Sequence, residues 1–427
     1  MGSLVKRGWA TGFSLLRRIS VLKSTRNCGN ITLGYRMMST AVNSTPSSKI
    51  VSPWLMLPPV IEEGGDMVYK FYNFSEDKEK SFPRNSQEEM ADDDAKFVGS
   101  SHGWLALFNQ CNNNHIFLYN PITGRHIKLP PIETLPDPWT NLTPDGRGSV
   151  WKLILSSSPD DEAGDDECIA MMIFGLERRL AFCHPCRSTE WTPIGELYYH
   201  IPDEGFFPRP YQDIVYSSTR KLFFCQVSSP WLLECWDLAD SQSPRIHSTR
   251  EFGYENFPEI TYRPHIISQV NLVYAEEYNQ LFLVMRYVAK QMGPDGKCAI
   301  PIYLGLDRGW DYGLPYRTIE LDAYKIESGV EKILRMEGSL DGLSMFIGIN
   351  HSIAMSITPQ SKLTSNCIYC TDPNNFPVRP CAFYGGHDIG IYDYTDRTFL
   401  PCYNFPLDVE SIKRIMPAPL WFTPCHH

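Results

Sequence analysis

No aspartate or glutamate occurs before Glu62 in this 427-residue chain, although it holds 49 acidic residues in all. A folded surface of ordinary mixed charge is excluded for that stretch. No run of about 18 apolar residues occurs either, so a membrane-spanning helix is not expected. No Gly-x-Ser-x-Gly elbow presents a serine, and no Gly-rich phosphate loop joins a strand to a helix. Long stretches with a 3.6-residue apolar period are scarce after the first 40 residues, which argues against a helical domain. Thirteen cysteines, an odd number without regular spacing, do not describe a disulfide framework.

What the N-terminal stretch does contain is positive charge: Lys6, Arg7, Arg17, Arg18, Lys23, Arg26 and Arg36. At 100° per residue Val5, Trp9, Phe13 and Leu16 fall within roughly 80° of one another, with Arg7 and Arg18 opposite. An amphipathic basic helix of this kind suits an organellar presequence, whose positive charge is drawn to the negative side of an energised membrane. Residues 1–38 are therefore expected to be a disordered mitochondrial targeting presequence cut near Met38, and residues 39–51 a polar linker. The mitochondrial matrix is the expected location, and a chloroplast is the second choice, because plastid presequences lean less on arginine near their start.

Removing residues 1–38 takes away seven of the 39 basic residues and no acidic ones, leaving 32 against 49, a net charge of −17. General nucleic-acid binding is excluded on that balance, since it needs a basic face to replace phosphate counterions. The acidic clusters Glu88 to Asp94 and Asp160 to Glu167 read as solvated loops. Neither carries the glycine and terminal glutamate of a calcium loop.

The remainder reads as one all-β domain. Thirty-three prolines, 10 Trp, 22 Tyr and 22 Phe accompany short apolar runs separated by turn signals. Strands are expected over Val68 to Phe74, Trp104 to Phe108, His115 to Asn120, Val150 to Leu155, Ile169 to Phe174, Leu180 to Cys183, Leu222 to Val227 and Leu232 to Leu238. Others are expected over Leu281 to Val288, Thr318 to Tyr324, Lys332 to Met336, Met345 to Asn350, Ile368 to Thr371, Gly390 to Tyr394 and Phe399 to Tyr403. A loose repeat lies under them. Tyr119-Asn120-Pro121 turns into Ile127-Lys128-Leu129, Phe182 to Pro185 into Trp191 to Pro193, Cys235 to Leu238 into Ile246-His247, and Ile391 to Tyr394 into Phe399 to Pro401. The 64 residues from Pro121 to Pro185 suit one large four-stranded blade. A single β-propeller of roughly five or six four-stranded blades uses the whole length.

Ser52 to Pro59, Val98-Gly99-Ser100-Ser101-His102-Gly103-Trp104-Leu105, Asn120 to Pro131, Cys367-Ile368-Tyr369, His387 to Asp393 and Pro419 to Pro424 follow in order along the chain. With these segments the sequence resembles the plant KIB-type β-propeller family, a family of unknown function with F-box and kelch-like relatives. The resemblance covers residues 52–424 and implies one propeller domain. Many relatives carry an F-box ahead of the propeller and serve as ubiquitin-ligase receptors. Here the presequence stands in that place, so a ubiquitin-ligase core is not an expected partner, and the chain resembles the organellar branch. Ser52 to Pro59 and Pro419 to Pro424 are expected to complete one blade between them and so close the ring.

Several constellations invite a chemical reading. Cys183-His184-Pro185-Cys186 and Cys367-Ile368-Tyr369-Cys370 have zinc-ligand spacing, yet cysteines three apart in a strand point to opposite faces. Ser101-His102 and His387-Asp388 supply the side chains of a hydrolytic triad without its local geometry. Asp393 and Asp396 suggest a carboxylate pair but flank a turn. No catalytic, cofactor-binding or metal residue is assigned from the sequence, and no cofactor is expected. The expected function is a non-enzymatic scaffold that binds an organellar protein partner through loops such as Leu135 to Gly148 and Arg286 to Pro315. The alternative is an enzyme with its site in the propeller channel.

Overall fold

The computed structural model describes residues 52–57, 60–61, 67–83, 96–109, 115–135, 150–160, 168–201, 203–228, 231–240, 242–252, 266–289, 317–327, 333–359, 361–372, 388–401 and 418–425. The presequence, the linker and the acidic run Glu88 to Asp94 lie outside these residues. All the regular structure among them is strand apart from two short 3-10 turns, Ile132–Thr134 and Glu276–Tyr278.

Six blades are present among the described residues. Blade I contains Trp54–Met56, Met67–Asn73 and Lys78–Pro83, with Val60–Ile61 also pairing Met67–Asn73. Blade II is Lys96–Ser101, Trp104–Asn109, His115–Tyr119 and His126–Lys128, and blade III is Val150–Leu155, Ala170–Phe174, Arg179–Cys183 and Thr192–Ile194. Blade IV is Tyr211–Ser217, Leu222–Val227, Leu232–Asp237 and Arg245–Glu251. Blade V comprises Ile266–Ala275, Gln280–Ala289, Arg317–Ile326 and Ile333–Arg335. Blade VI orders Ile353–Ser356, Leu343–Ile347, Cys367–Cys370, Gly390–Asp393 and Thr398–Pro401, and among the described residues its strand pairing with blade V is the parallel bridge Tyr274 to Ile353. A separate hairpin, Tyr198–Ile201 with Gly205–Pro208, lies between blades III and IV and holds Phe206 74 % exposed.

The core is divided into wedges between blades. Within Trp54–Met56, Trp54 and Met56 pack with blade II residues such as Phe97 and Leu105, while Leu55 packs with Phe346 and Tyr369 of blade VI. Four further clusters fill the spaces between blades II and III, III and IV, IV and V, and V and VI. Successive side chains point to opposite faces of a strand, and here both faces meet a neighbouring blade. That is why the middle strands read as apolar runs such as Ala170–Phe174 and Leu180 to Cys183, both buried throughout. The last strands of the blades face water instead: Lys78–Pro83 and Arg245–Glu251 are charged and mostly exposed, a composition that discourages edge-to-edge pairing with another chain. All fifteen expected strands overlap observed ones. The outermost charged strand of blade I was not foreseen, because it has no apolar run to signal it.

The repeat is explained by this arrangement. Tyr119-Asn120-Pro121, Phe182 to Pro185, Cys235 to Leu238 and Ile391 to Tyr394 each leave the next-to-last strand of a blade and turn into its last one. In blade II the Asn120 Oδ1 accepts the N–H groups of Ile122 and Thr123, at 3.0 and 3.1 Å, and so holds the turn.

Leu420–Phe422 runs antiparallel to Trp54–Met56, pairing Trp54 with Phe422, Leu55 with Trp421 and Met56 with Leu420. The two Trp-containing ends thus meet in blade I as the sequence leads one to expect. Trp421 is buried against Phe74, Phe346 and Tyr369, and its Nε1 donates to the Tyr369 carbonyl at 3.1 Å. Deleting residues 417–427 is therefore expected to abolish the single cooperative thermal transition, and Trp421→Ala to cost about 3–5 kcal/mol in urea unfolding. A truncated chain that melts like the intact one would contradict this closure.

Candidate functional site

The first strands of successive blades lie against one another around the ring: Lys96–Ser101 beside Val150–Leu155, that strand beside Tyr211–Ser217, and that in turn beside Ile266–Ala275. Their polar residues converge near the ring centre. Lys152 Nζ lies 2.5 Å from Asp213 Oδ1, both side chains being buried, and Asp213 Oδ2 accepts the Leu272 N–H at 2.7 Å. One carboxylate so ties blades III, IV and V together. Burial raises the Asp213 pKa, with Lys152 and the backbone donors opposing it.

Blade II joins blade III by two devices. Ser101 Oγ accepts the Leu155 N–H at 2.9 Å, and a Cβ at Gly99 would stand 1.8 Å from the Leu153 carbonyl oxygen. Only glycine permits that approach, at a bulge in the strand pairing. His102 and Gly103 then turn with left-handed backbones, and Trp104 enters the core with its Nε1 donating to Ser158 Oγ at 3.3 Å. The segment Val98 to Leu105 thus has a structural reason for each of these residues.

A short connection in blade VI crosses the centre. It begins at Gly348, where a Cβ would fall 2.0 Å from Thr371 Oγ1. Ile349 reaches the core between blades I and II, the His351 N–H donates to the Ser100 carbonyl at 2.8 Å, and His351 Nε2 lies 3.0 Å from both N and O of Tyr216 in blade IV. The neutral ring accepts the Tyr216 N–H in one tautomer and donates to the Tyr216 carbonyl in the other. The His102 ring stacks on it, with centroids 5.8 Å apart. Burial and the neighbouring His102 and Lys152 push the His351 pKa down to about 3.

The cavity left beside this connection measures about 30 Å³ and is lined by Trp151, Lys152, Arg178, Asp213, Gln212, Gln269 and the Gly348 segment, among others. About two waters fill such a space. Ligand pockets run to about 300 Å³ and more.

The residues singled out in the sequence are placed apart from this cavity or committed elsewhere. Cys183 and Cys186 belong to blade III and the turn after it, Cys367 and Cys370 to blade VI. Cys367 packs in the wedge toward blade I and Cys370 in the wedge toward blade V, so the two thiols face opposite ways as expected. His387 lies outside the described residues. Asp388 is held by Arg286, whose Nη2 is 2.8 Å from its Oδ2, and by the Thr318 N–H at 2.9 Å, which joins blades V and VI rather than serving a histidine. Asp393 Oδ1 accepts the N–H groups of Thr395 and Asp396 at 3.0 and 3.2 Å, the bonding of a turn. In the acidic run, Asp160 pairs with Arg125 at 2.5 Å, and its other residues lie outside the description. The expected loop from Arg286 needs correction. Arg286 lies within strand Gln280–Ala289, 1 % exposed, because Asp388, Thr318 and the Thr371 carbonyl satisfy its guanidinium. Residues 290–315 and 136–148, the rest of the two expected partner-binding loops, are outside the described residues.

Lys152, Arg178, Asp213 and His351 were not singled out in the sequence. The available signal is a charge inside an otherwise apolar strand, as at Lys152 between Trp151 and Leu153 and at Asp213 before Ile214-Val215.

The KIB1-4 beta-propeller family model matches residues 71–393, and the chain belongs to that family. The curated proteins contain no match. Among solved structures the chain is similar to the Cps50 (Swd1) β-propeller domain of Myceliophteria thermophila, at 9% identity over 84% of this chain and 86% of that one, with a TM-score of 0.34. It is also similar to Sqt1 of Saccharomyces cerevisiae, at 12% identity over 67% and 70% of the two chains and a TM-score of 0.31. A puromycin hydrolase is similar at 10% identity over 78% of this chain and 48% of that one, with a TM-score of 0.28.

Two outcomes follow for the central polar groups. The unfolded chain takes up a proton at His351 below pH ~6.5 that the folded ring refuses until about pH 3, so this residue lowers stability as pH falls through that window. Urea melts should lose about 2 kcal/mol from this source between pH 6.5 and 5, and His351→Asn should remove that share of the loss; an unchanged pH slope would contradict it. Arg286→Met should cost about 3–5 kcal/mol at neutral pH by leaving Asp388 buried without its partner, and a stability equal to that of the unmodified chain would contradict the assignment.

Proposed function

We propose that the chain is a non-enzymatic protein-interaction scaffold acting inside the mitochondrion. The observation that carries the first half is the fate of the central polar groups. Lys152 and Asp213 neutralise one another, Ser101 serves the backbone of the next blade, and His351 bridges blades II and IV. General acid-base chemistry needs a titratable group within reach of a substrate atom. Here these groups are spent on holding blades together, beside a cavity of about 30 Å³. The separate hairpin with exposed Tyr198 and Phe206 offers aromatic surface of the kind partners bury. The second half rests on the basic, acid-free residues 1–38. Its positive charge and amphipathic pattern suit a segment that directs the propeller to an organelle.

A fluorescent fusion of residues 1–45 is expected to enter mitochondria, and a diffuse cytosolic signal would refute the location. The full chain, expressed with a C-terminal tag and captured from isolated mitochondria after cross-linking, is expected to bring down a reproducible protein partner. Recovery of none, together with turnover of a small molecule, would refute the scaffold.

A further inference from the structure

We propose that the cavity between blades III, IV and V is a receptor for one side-chain carboxylate of a protein partner, gripped by Arg178. This rests on the scaffold reading and gives that partner a chemistry.

Arg178 follows the sharp turn after Ala170–Phe174 and has a left-handed backbone, φ 54°. It is held there from both sides. Its N–H donates to the Gly175 carbonyl at 3.2 Å, and its own carbonyl accepts the Tyr211 N–H at 2.9 Å. The guanidinium lies over the Trp151 ring, 4.4 Å from the centroid, and that ring is itself fixed by Nε1 donating to the Gly175 carbonyl at 2.6 Å. A stacked guanidinium keeps its edge N–H groups free for a planar, two-point acceptor, which is how arginine grips a carboxylate.

The charge balance of the cavity points the same way. Asp213 is the single carboxylate among its lining residues, and it is committed to Lys152 and the Leu272 N–H. Arg178 is left with no acidic partner among the described residues, and burial alone lowers its pKa. The lining thus carries one uncompensated positive charge within a chain of net charge −10. Beside it stand Gln212 and Gln269, whose side-chain oxygens are buried without a hydrogen-bond partner. Both oxygens are acceptors, so they take a hydrogen bond from a water carried in with the ligand and none from its carboxylate, which is left to Arg178.

Size and the outer field select the ligand. About 30 Å³ accepts a carboxylate head and little more, so the rest of the ligand stays outside. There it meets a negative protein, which disfavours a run of acidic residues and favours an isolated glutamate or aspartate flanked by basic ones.

The test is calorimetric titration of the full chain with three probes: acetyl-Lys-Glu-Lys-amide, acetyl-Lys-Gln-Lys-amide and succinate. The Glu peptide is expected to bind at least tenfold tighter than the Gln peptide and than succinate. Arg178→Gln, with an unchanged melting temperature, is expected to lose that tenfold preference. Should Arg178→Gln fail to fold, Arg178→Lys keeps the charge but loses the fork, and is expected to bind the Glu peptide several-fold more weakly. Equal binding of the Glu and Gln peptides, binding unaltered by either variant, or no saturable binding at all would overturn the site. Tighter binding of succinate would replace the protein side chain by a free small carboxylate and overturn the proposal as stated. If capture from mitochondria recovers the same partner with Arg178→Gln as with the unmodified chain, the scaffold stands and only this receptor falls.

Discussion

The antiparallel pairing of Leu420–Phe422 with Trp54–Met56 is the constraint on which the rest depends. Each blade buries both faces against its neighbours, so an open row of six would leave two apolar faces in water. With the closing strand in place, Trp54 and Met56 complete the wedge toward blade II and Leu55 and Trp421 the wedge toward blade VI. The interaction is local in space and as distant as possible in sequence. Its formation therefore carries the loop-closure entropy of nearly the whole domain, which makes the ring a cooperative unit rather than a stack of independent blades.

Closure also dictates what the centre can be. Six first strands brought side by side would expose backbone and polar groups to a narrow axis. The molecule satisfies them across blade boundaries: Ser101 with Leu155, Lys152 with Asp213, Asp213 with Leu272, and His351 with Ser100 and Tyr216. Removing one partner of such a buried set leaves the other unsatisfied at full cost. The residues that look most like chemistry are thus the ones that fix blade positions. Arg178 departs from this pattern, stacked on Trp151 beside the small cavity with no acidic partner among the described residues.

Much of this was legible in the sequence, for a physical reason. Strands buried on both faces are mostly apolar, and Ala170–Phe174, Leu222–Val227 and Leu281 to Val288 announce themselves despite Gln226 and Arg286. The hairpin motif around Asn120-Pro121 was legible because turns need particular residues at fixed offsets. Two kinds of strand were not. The outermost ones, such as Lys78–Pro83, are charged because they face water, and the innermost ones, Lys96–Ser101 and Tyr211–Ser217, carry polar residues because they line the axis. Both compositions mimic loops in one dimension. The same ambiguity made Arg286 look like the start of a loop, although its burial is made possible by Asp388, 102 residues away. The central groups were hidden for a related reason: Lys152, Arg178, Asp213 and His351 come from three blades, and only the closed ring brings them together.

Native-state hydrogen exchange on the full chain tests the closed ring most directly. The account predicts that the hydrogen-bonded amides of Trp54–Met56 and Leu420–Phe422 exchange with the same opening free energy as those of Ala170–Phe174 in blade III, because the closing strand leaves only when the whole ring unfolds. Exchange of the closing strand through a separate opening several kcal/mol below that of blade III would contradict it.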